Sequence, residues 1–251
     1  MSKTHQEYRE TGYIEDQRGF FDKLITQDWE TYQSNLWDIQ RKFEVSQILR
    51  FISKPKSVLD VGCGSGYHDV VFAQKSFINL VVGIDYSVKS ISQAKKHYSH
   101  PKVKRFVANF LSSNSELKNI GQFDLVVSFQ TIEHLTDPVK FINVCKQHVV
   151  LGGYIAIVTP NRRRLENRVR NFLGHNDRKI DPMHYSEYTK KELKDLGKSL
   201  GLRFVNSFAH TLSLKSKKFT IINPNSVFAV KMGALFPNWA NVIGVIYQKT
   251  N

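Results

Sequence analysis

The stretch Val58-Leu59-Asp60-Val61-Gly62-Cys63-Gly64-Ser65-Gly66 decides the fold of this 251-residue chain. Apolar residues before the glycines indicate a short buried strand, and the apolar run 70–73 after them indicates a helix. Glycine permits positive φ and lets a ligand approach backbone N–H groups closely. The stretch therefore predicts a strand, a tight turn and a helix, with a small molecule lying across the turn.

Short apolar runs alternate with helical segments on both sides of this turn. Runs that do not alternate with polar residues are typical of strands buried on both faces, and their alternation with helices indicates parallel βαβ units. The fold class is therefore predicted as α/β: a doubly wound, mostly parallel sheet of seven strands with helices on both faces. The predicted strands are 57–61, 80–84, 103–107, 123–129, 154–158, 202–208 and 241–248.

Two segments are predicted to cover the sheet. Residues 1–54 form a lead-in and lid, which ends in an amphipathic helix around residues 45–52, and residues 55–251 form the sheet domain. Within that domain, a basic helical insertion is predicted at about 161–188. Its apolar stripe is Leu165, Val169, Phe172 and Leu173, and its arginines are Arg162, Arg163, Arg164, Arg168 and Arg170.

Composition excludes several classes of protein. At 41% hydrophobic and 23% charged residues the chain can form a globular core. The two cysteines, Cys63 and Cys145, are too few for a disulfide framework and show no zinc-ligand spacing, so no metal site is predicted. The polar start lacks the apolar core of a signal peptide, and no apolar stretch is long enough to span a membrane. A cytoplasmic location is the resulting expectation.

The positive charge is concentrated in the C-terminal part. The net charge is +14, and residues 151–251 hold 17 basic and 6 acidic side chains. Such a surface attracts phosphates, carboxylates, nucleic acid or an anionic membrane, and charge alone does not choose among them.

The spacing around the glycines limits what the turn can bind. The dinucleotide fingerprint is Gly-x-Gly-x-x-Gly, whereas this chain has Gly-x-Gly-x-Gly with Tyr67 where the last glycine would fall. Asp60 would repel a pyrophosphate but attract an ammonium group. Asp85 ends the next strand, where an acid accepts hydrogen bonds from ribose hydroxyls. Together they predict a nucleoside joined to an amino-acid-like tail, and they disfavour a nicotinamide dehydrogenase.

At this point the sequence resembles the class I S-adenosylmethionine-dependent methyltransferases, whose first motif is an acid followed by Gly-x-Gly-x-Gly. The resemblance extends from about Val58 to Arg203. Further matches are Phe123-Asp124-Leu125-Val126-Val127, then Ile132-Glu133-His134-Leu135-Thr136-Asp137-Pro138 and Thr159-Pro160-Asn161. The Glu-His pair after the fourth strand is similar to that of the ubiquinone-biosynthesis O-methyltransferases.

The resemblance implies S-adenosyl-L-methionine as the cofactor and assigns residues to it. The glycines would line its methionine part, Asp60 would meet the ammonium and Asp85 the ribose hydroxyls. Asn109 stands where the family commonly has an aspartate for the adenine amino group, with Phe110 as a stacking partner, and Gln130 would lie near the carboxylate. The implied cofactor-binding set is Asp60, Gly62, Gly64, Gly66, Asp85, Asn109, Phe110 and Gln130.

Two histidines are candidates for catalysis. Methyl transfer from a sulfonium requires alignment of donor and acceptor, and it requires a base when the acceptor is a hydroxyl or a protonated amine. His134 follows the fourth strand, and His184 belongs to the predicted cover; each could equally have a structural role. The predicted reaction is methylation of an oxygen, or of a nitrogen or carbon, of a small acceptor that is anionic or lipid-like, with peripheral membrane contact as one option.

Two alternatives stay open from the sequence. The first is an RNA methyltransferase, favoured by the basic charge but without a recognisable RNA-binding module or an Asn/Asp-Pro-Pro-aromatic motif. The second is a catalytically degenerate partner subunit that keeps the fold, which the departure at Asn109 supports and the intact glycine turn opposes. The sequence gives no oligomeric state.

Overall fold

The computed structural model describes residues 19, 22, 35–110, 120–181, 183–215, 220–223 and 226–250. Of the predicted lead-in and lid over residues 1–54, the structure describes residues 19, 22 and 35–54, and the others lie outside the described residues. The predicted domain boundary at residue 54 stays a prediction. None of the helices in the described part of the chain combines the length and the hydropathy that a membrane span needs.

Nine strands are described. They are β1 (Ser57–Val61), β2 (Leu80–Asp85), β3 (Val103–Val107), β4 (Phe123–Phe129), β5 (Val149–Pro160), β6 (Leu202–His210), β7 (Leu214–Lys215), β8 (Thr220–Ile222) and β9 (Val242–Lys249). Seven of them form one sheet in the order β3-β2-β1-β4-β5-β9-β6, in which β9 is antiparallel to both of its neighbours and the other pairs are parallel. The predicted doubly wound, mostly parallel seven-stranded sheet is confirmed.

Helices cover both faces of this sheet. They are α1 (Asn35–Phe51), α2 (Tyr67–Ala73), α3 (Val88–His97), α4 (Pro138–Gln147), α5 (Leu165–Phe172), α6 (Lys190–Ser199) and α7 (Val227–Leu235), and a 3-10 helix spans Ile132–His134. One apolar cluster packs α1 and α2 on the sheet, and a second packs α4 and α6 on the opposite face. Because β1 pairs with both β2 and β4, the strand order reverses beside β1. Ligands of such sheets bind in the crevice at this reversal, outside the carboxyl ends of the strands.

A buried carboxylate fastens α1 to the rest of the fold. Glu44 Oε2 lies 2.7 Å from His68 Nε2 of α2, and Glu44 Oε1 lies 2.9 Å from His210 Nε2 of β6. Burial alone would raise the pKa of Glu44, but the hydrogen bonds to His210 and His68 outweigh it and lower the pKa to about 2. The predicted amphipathic helix therefore carries a polar contact as well as its apolar face.

Strand β5 begins earlier than predicted. The predicted strand covers 154–158, whereas β5 starts at Val149 and runs through the glycine pair at 152–153. The pairing shifts register between Phe123 and Leu125 of β4, and Gly152 adopts φ 80° in this irregularity. A Cβ on Gly153 would lie 2.9 Å from Asp124 O, so the close approach of β4 requires glycine there.

The segment between β6 and β9 is more structured than predicted. No element is predicted between the strands at 202–208 and 241–248, whereas the structure has the β7–β8 pair and α7 there. Lys217 and Lys218 lie outside the described residues. Helix α7 is apolar around most of its circumference, so no 3.6-residue period marks it in the sequence. Ser226 caps it by accepting a hydrogen bond from Ala229 N at 3.1 Å.

The apolar stripe predicted for α5 faces outward. Phe172 is 90% exposed and Leu173 is 62% exposed, whereas Arg164 and Asn167 are buried. Arg164 Nη1 lies 2.5 Å from Glu187 Oε2, and the Asn167 amide is held by Arg162 O at 2.8 Å. This helix is therefore anchored through polar contacts, and its apolar residues are left at the surface.

Candidate functional site

The three-glycine turn joins β1 to α2 at the carboxyl edge of the sheet. Gly62 N donates to Ile84 O at 2.8 Å, so the turn lies against the end of β2. Gly62, Gly64 and Gly66 adopt φ of 79°, 49° and 73°, in the left-handed region that favours glycine. A Cβ on Gly62 would lie 2.4 Å from Thr131 Oγ1, whereas one on Gly64 would meet no heavy atom within 4 Å. A ligand can therefore approach the backbone at Gly64.

Asp60 of β1 is a buried carboxylate next to this turn. Its side chain is 1% exposed, and no N–H group or alcohol hydroxyl among the described residues donates to either carboxylate oxygen. Burial, the negative charge of Asp69 and a carboxyl–carboxylate hydrogen bond with Asp69 raise the pKa of Asp60 well above its usual range. A buried carboxylate without a cationic partner is costly, so its position suits a cationic group.

Asp69 of α2 and Arg105 of β3 form a buried ion pair beside Asp60. Arg105 Nε lies 2.6 Å from Asp69 Oδ2, and the two side chains are 3% and 0% exposed. Arg105 Nη2 also donates to Gly66 O at 2.9 Å, and Nη1 donates to Tyr98 O at 2.8 Å. The guanidinium therefore holds the last glycine of the turn against β3. Neither residue is predicted from the sequence, because each stands beside another polar residue, His68 or Lys104, and no pattern marks it as buried.

Asp85 closes β2 on the other side of the turn. Its Oδ2 accepts from Gly64 N at 3.0 Å, and its Oδ1 accepts from Ser87 N at 2.9 Å. Burial raises the pKa of Asp85 to about 6, although these backbone hydrogen bonds act in the opposite direction. The negative charge of Asp85 also contributes to the raised pKa of Asp60, so the two carboxylates are close enough to interact electrostatically.

Asn109, Phe110 and Gln130 lie at the same edge of the sheet. Asn109 follows β3 and is exposed. Phe110 is 5% exposed, and its ring packs edge-on against Phe141 with ring centroids 5.4 Å apart, so at least one side of this ring belongs to the core. Gln130 follows β4 with φ 50°, and its N–H donates to Val158 O at 2.8 Å. A left-handed residue other than glycine is strained, and such strain is common at functional sites.

Glu133, His134 and His184 form a second group at the carboxyl ends of β4 and β5. One ligand atom of each residue lies within 4.8 Å of those of the other two, and the imidazole centroids are 4.9 Å apart. Thr159 Oγ1 donates to Glu133 Oε2 at 2.8 Å, while no donor among the described residues reaches Glu133 Oε1. Burial lowers the pKa of His134 to about 4 and raises that of Glu133 to about 7.

The second group is close to the glycine turn. Thr131, which a Cβ on Gly62 would touch, directly precedes the 3-10 helix that carries Glu133 and His134. The loop after α5 contributes His184 and is tied to this helix by a hydrogen bond from Ser186 N to Glu133 O at 3.0 Å. The structure therefore places the glycine turn and the polar Glu-His-His group side by side at one edge of the sheet.

The arginines of the insertion have different environments. Arg164 is buried against Glu187, and Arg162 pairs with Glu192. Arg163 and Arg168 are exposed. Only part of the predicted arginine cluster is thus available to a ligand.

A family model described as a methyltransferase domain matches residues 37–207. This chain belongs to that family. The prediction of a class I S-adenosylmethionine-dependent methyltransferase resembling the ubiquinone-biosynthesis O-methyltransferases is confirmed, and the family implies S-adenosyl-L-methionine as the cofactor. The match begins within the predicted lead-in and lid.

Relatives of this methyltransferase domain are moderately similar in sequence. A Mycolicibacterium smegmatis protein described as a probable S-adenosylmethionine-dependent methyltransferase is 29% identical over 170 residues, which is 67% of this chain and 60% of that protein. The mitochondrial ubiquinone biosynthesis O-methyltransferase of Candida albicans is 30% identical over 144 residues, which is 55% of this chain and 44% of that protein. The match thus spans about half the length of these relatives.

A solved structure supports the fold. The S-adenosylmethionine-dependent methyltransferase from Archaeoglobus fulgidus has a TM-score of 0.56 and 19% identity, with 83% of this chain and 92% of that one covered. At this identity the likeness supports the sheet and helix arrangement alone.

The residues of the turn fit the cofactor that the methyltransferase family implies. The ligand would be a cationic amino acid joined to a nucleoside, and the buried carboxylate of Asp60 offers the charge that its ammonium needs. The open space beside Gly64 lets a ligand approach the backbone closely. The carboxylate of Asp85 is held in place by two backbone N–H groups. The individual roles of the eight predicted residues stay predictions.

Proposed function

We propose that this methyltransferase domain transfers a methyl group from S-adenosyl-L-methionine to an oxygen of a small acceptor that is anionic or lipid-like. The observation that carries the proposal is the buried carboxylate of Asp60, to which no described N–H group or alcohol hydroxyl donates, beside an open glycine turn. A neutral or anionic nucleotide would leave this charge unbalanced, whereas a cationic adenosyl amino acid compensates it.

Residues on both sides of the turn would hold the cofactor. Asp60 binds its ammonium, Asp85 its ribose hydroxyls and Gln130 lies near its carboxylate, while Asn109 and Phe110 contact the adenine. Bound S-adenosyl-L-methionine supplies a methyl group already activated on a sulfonium. The protein then has to align the acceptor with that group and exclude water.

His134 and His184 are the proposed catalytic residues. Both imidazoles lie at the sheet edge that carries the glycine turn, and the 3-10 helix brings His134 next to Thr131 and hence to Gly62. An acceptor hydroxyl at this edge would contact the two rings while facing the turn. Oxygen is the proposed methylated atom because this polar group suits a hydroxyl.

The acceptor class is inferred from the surface beside this edge. Arg163 and Arg168 are exposed on the segment that follows β5, and Phe172 and Leu173 are exposed on the same helix. Leu165 N donates to Trp239 O at 2.9 Å, which joins this helix to the segment after α7, where Phe236 and Trp239 are partly exposed. Basic and apolar side chains together suit an amphiphilic anion or the surface of an anionic membrane. A cytoplasmic location also stays a prediction.

We expect the double substitution Arg163→Ser/Arg168→Ser to raise the KM for the acceptor and to weaken its dependence on ionic strength. Exposed charges attract a ligand mainly through long-range electric fields, which dissolved salt weakens. They act on binding of the acceptor and not on the bound complex, so kcat should change little. The matched control is Lys96→Ser on α3, which removes an exposed cation at the opposite end of the sheet. Steady-state kinetics at low and high salt make the comparison. Identical salt profiles for the double variant and the native protein would refute the role of these arginines.

The proposed function is tested by incubating the protein with isotopically labelled S-adenosyl-L-methionine and cell extract, and identifying the labelled product by mass spectrometry. Soluble metabolites, membrane lipids and RNA are offered as separate fractions. Label in an oxygen of an anionic metabolite or lipid supports the proposal, and label in RNA supports the RNA methyltransferase instead. Failure of calorimetry to detect binding of S-adenosyl-L-methionine would favour a catalytically degenerate subunit.

A further inference from the structure

Asp69 of α2 is a second buried carboxylate beside Asp60, and the sheet leaves room for it. Asp60 of β1 pairs with Gly83 of β2 across the parallel ladder. A Cβ on Gly83 would lie 2.7 Å from Asp69 Oδ2 and 2.9 Å from Cys63 Sγ, so any side chain larger than hydrogen would crowd this carboxylate. The glycine therefore lets Asp69 lie next to Asp60, with which it forms a carboxyl–carboxylate hydrogen bond.

The charges in this part of the interior do not balance if both carboxyl groups are ionised. Arg105 supplies one positive charge, and its Nε lies 2.6 Å from Asp69 Oδ2. Asp60 and Asp69 would supply two negative charges, and all three side chains are buried. An excess charge that water does not reach is costly. One proton shared by the two carboxyl groups removes this excess.

The hydrogen bonds around the pair agree with a shared proton. Asp60 Oδ1, Asp60 Oδ2 and Asp69 Oδ1 are buried, and no N–H group or alcohol hydroxyl of the described residues donates to them. A proton on Asp60 makes it the donor that Asp69 otherwise lacks. Burial raises the pKa of both groups, as expected for two carboxyl groups that share a site. The other titratable groups that face the pair are Asp85 of β2, His68 of α2, Arg105 of β3 and Cys63 of the turn.

We infer that Asp60 and Asp69 share one proton in the free protein and that binding of the cofactor expels it. Expulsion by the cofactor rests on the proposed function, whereas the shared proton does not. The cofactor's ammonium takes the place of the proton beside Asp60. The O–H bond of Asp60 breaks, its electron pair stays on the oxygen, and the proton passes to the solvent, while Asp69 keeps its ion pair with Arg105. Asp69 is thereby a positioning residue that couples cofactor binding to proton release.

Proton release is measured on the full chain by calorimetric titration with S-adenosyl-L-methionine near neutral pH, in buffers of different ionisation enthalpy. The variant for comparison is Asp69→Asn, in which the amide donates to Asp60 and Arg105 balances its charge. We expect the native protein to release roughly one proton more per bound cofactor than Asp69→Asn does. The amino group of the cofactor and Asp85 titrate in both proteins, so the difference between them isolates the pair.

The affinities of the two proteins should also respond differently to pH. A proton competes with the cofactor in the native protein, so binding weakens as the pH falls. Over one pH unit, native binding should weaken by up to roughly tenfold more than binding to Asp69→Asn. If Asp69 had a structural role alone, its substitution would lower the affinity by the same factor at every pH.

The control is Asp195→Asn, which changes an exposed carboxylate of α6 and should release as many protons as the native protein. Should Asp69→Asn fail to fold, infrared spectra of the native protein replace it. The carbonyl band of a protonated carboxyl group, missing from Asp60→Asn, should then vanish as the cofactor binds. Equal proton release by the native protein and Asp69→Asn, or a free protein without that band, overturns the inference while cofactor binding itself stands. If the native protein binds no cofactor, the proposed function and the proton release both fail, and the band decides on the shared proton.

Discussion

The Asp60→Asn variant should lose most of its affinity for S-adenosyl-L-methionine while its unfolding free energy rises. The substitution keeps the shape of the side chain but removes the charge that compensates the ammonium. Loss of one partner of a buried charge pair costs roughly 2–4 kcal/mol, which corresponds to a roughly 30- to 1000-fold weaker Kd. The rise in stability follows because the native carboxylate is 1% exposed and no described N–H group or alcohol hydroxyl donates to it. Calorimetry and chemical denaturation measure the two effects.

The stability gain of Asp60→Asn should depend on pH. Burial and Asp69 raise the pKa of Asp60 in the folded protein above its unfolded value near 3.8. Between the two pKa values the folded state binds more protons, so native stability falls as pH rises through that window. The asparagine variant lacks this titration, and its advantage should therefore grow from about pH 4 upward.

The matched control for Asp60→Asn is Asp195→Asn. Asp195 is an exposed acid of α6, paired with Lys191 at 2.7 Å, and its substitution should leave the unfolding free energy nearly unchanged. Native-like cofactor affinity in Asp60→Asn would contradict the proposed ammonium site. A stability difference from the native protein that does not change with pH would contradict the raised pKa.

The residues of the glycine turn could be predicted because short-range geometry determines their positions. Asp60 precedes the first glycine by two residues on a buried strand, and Asp85 ends the neighbouring strand, so the parallel sheet brings both to one edge. His134 could be placed at this edge for the same reason, since it follows β4. His184 could be named as a candidate, but its contact with His134 depends on the path of the whole insertion.

The missed and wrong predictions depend on contacts between distant residues. Arg164 was counted with the surface arginines, but Glu187, 23 residues later, pairs with it in the interior. With Arg164 and Asn167 buried, Phe172 lies on the exposed side of α5. Asp69 and Arg105 are 36 residues apart, and neither position shows a pattern by itself. Charge and periodicity along the chain do not reveal such pairs.

The largest loss of stability is expected for Arg105→Met. Arg105 donates to Asp69 Oδ2 at 2.6 Å and to the carbonyl oxygens of Gly66, Ala94 and Tyr98. Methionine fills the space without any of these donors, so a buried carboxylate and several buried carbonyls lose their partner. Breaking a buried ion pair on one side costs about 3–5 kcal/mol, and urea denaturation should show a loss of this size.

Two further variants distinguish the effect of breaking the buried ion pair from the effect of removing one positive charge. Lys104→Met changes an exposed residue on the same strand and should cost less than about 0.5 kcal/mol. Adding Asp69→Asn to Arg105→Met should restore part of the stability, because the unpaired buried charge is then gone. If Arg105→Met does not fold, Arg105→Lys keeps the charge but not the forked set of donors, and it should still weaken cofactor binding because Gly66 O loses its donor. Equal stability of Arg105→Met and Lys104→Met would show that the guanidinium does not support the glycine turn.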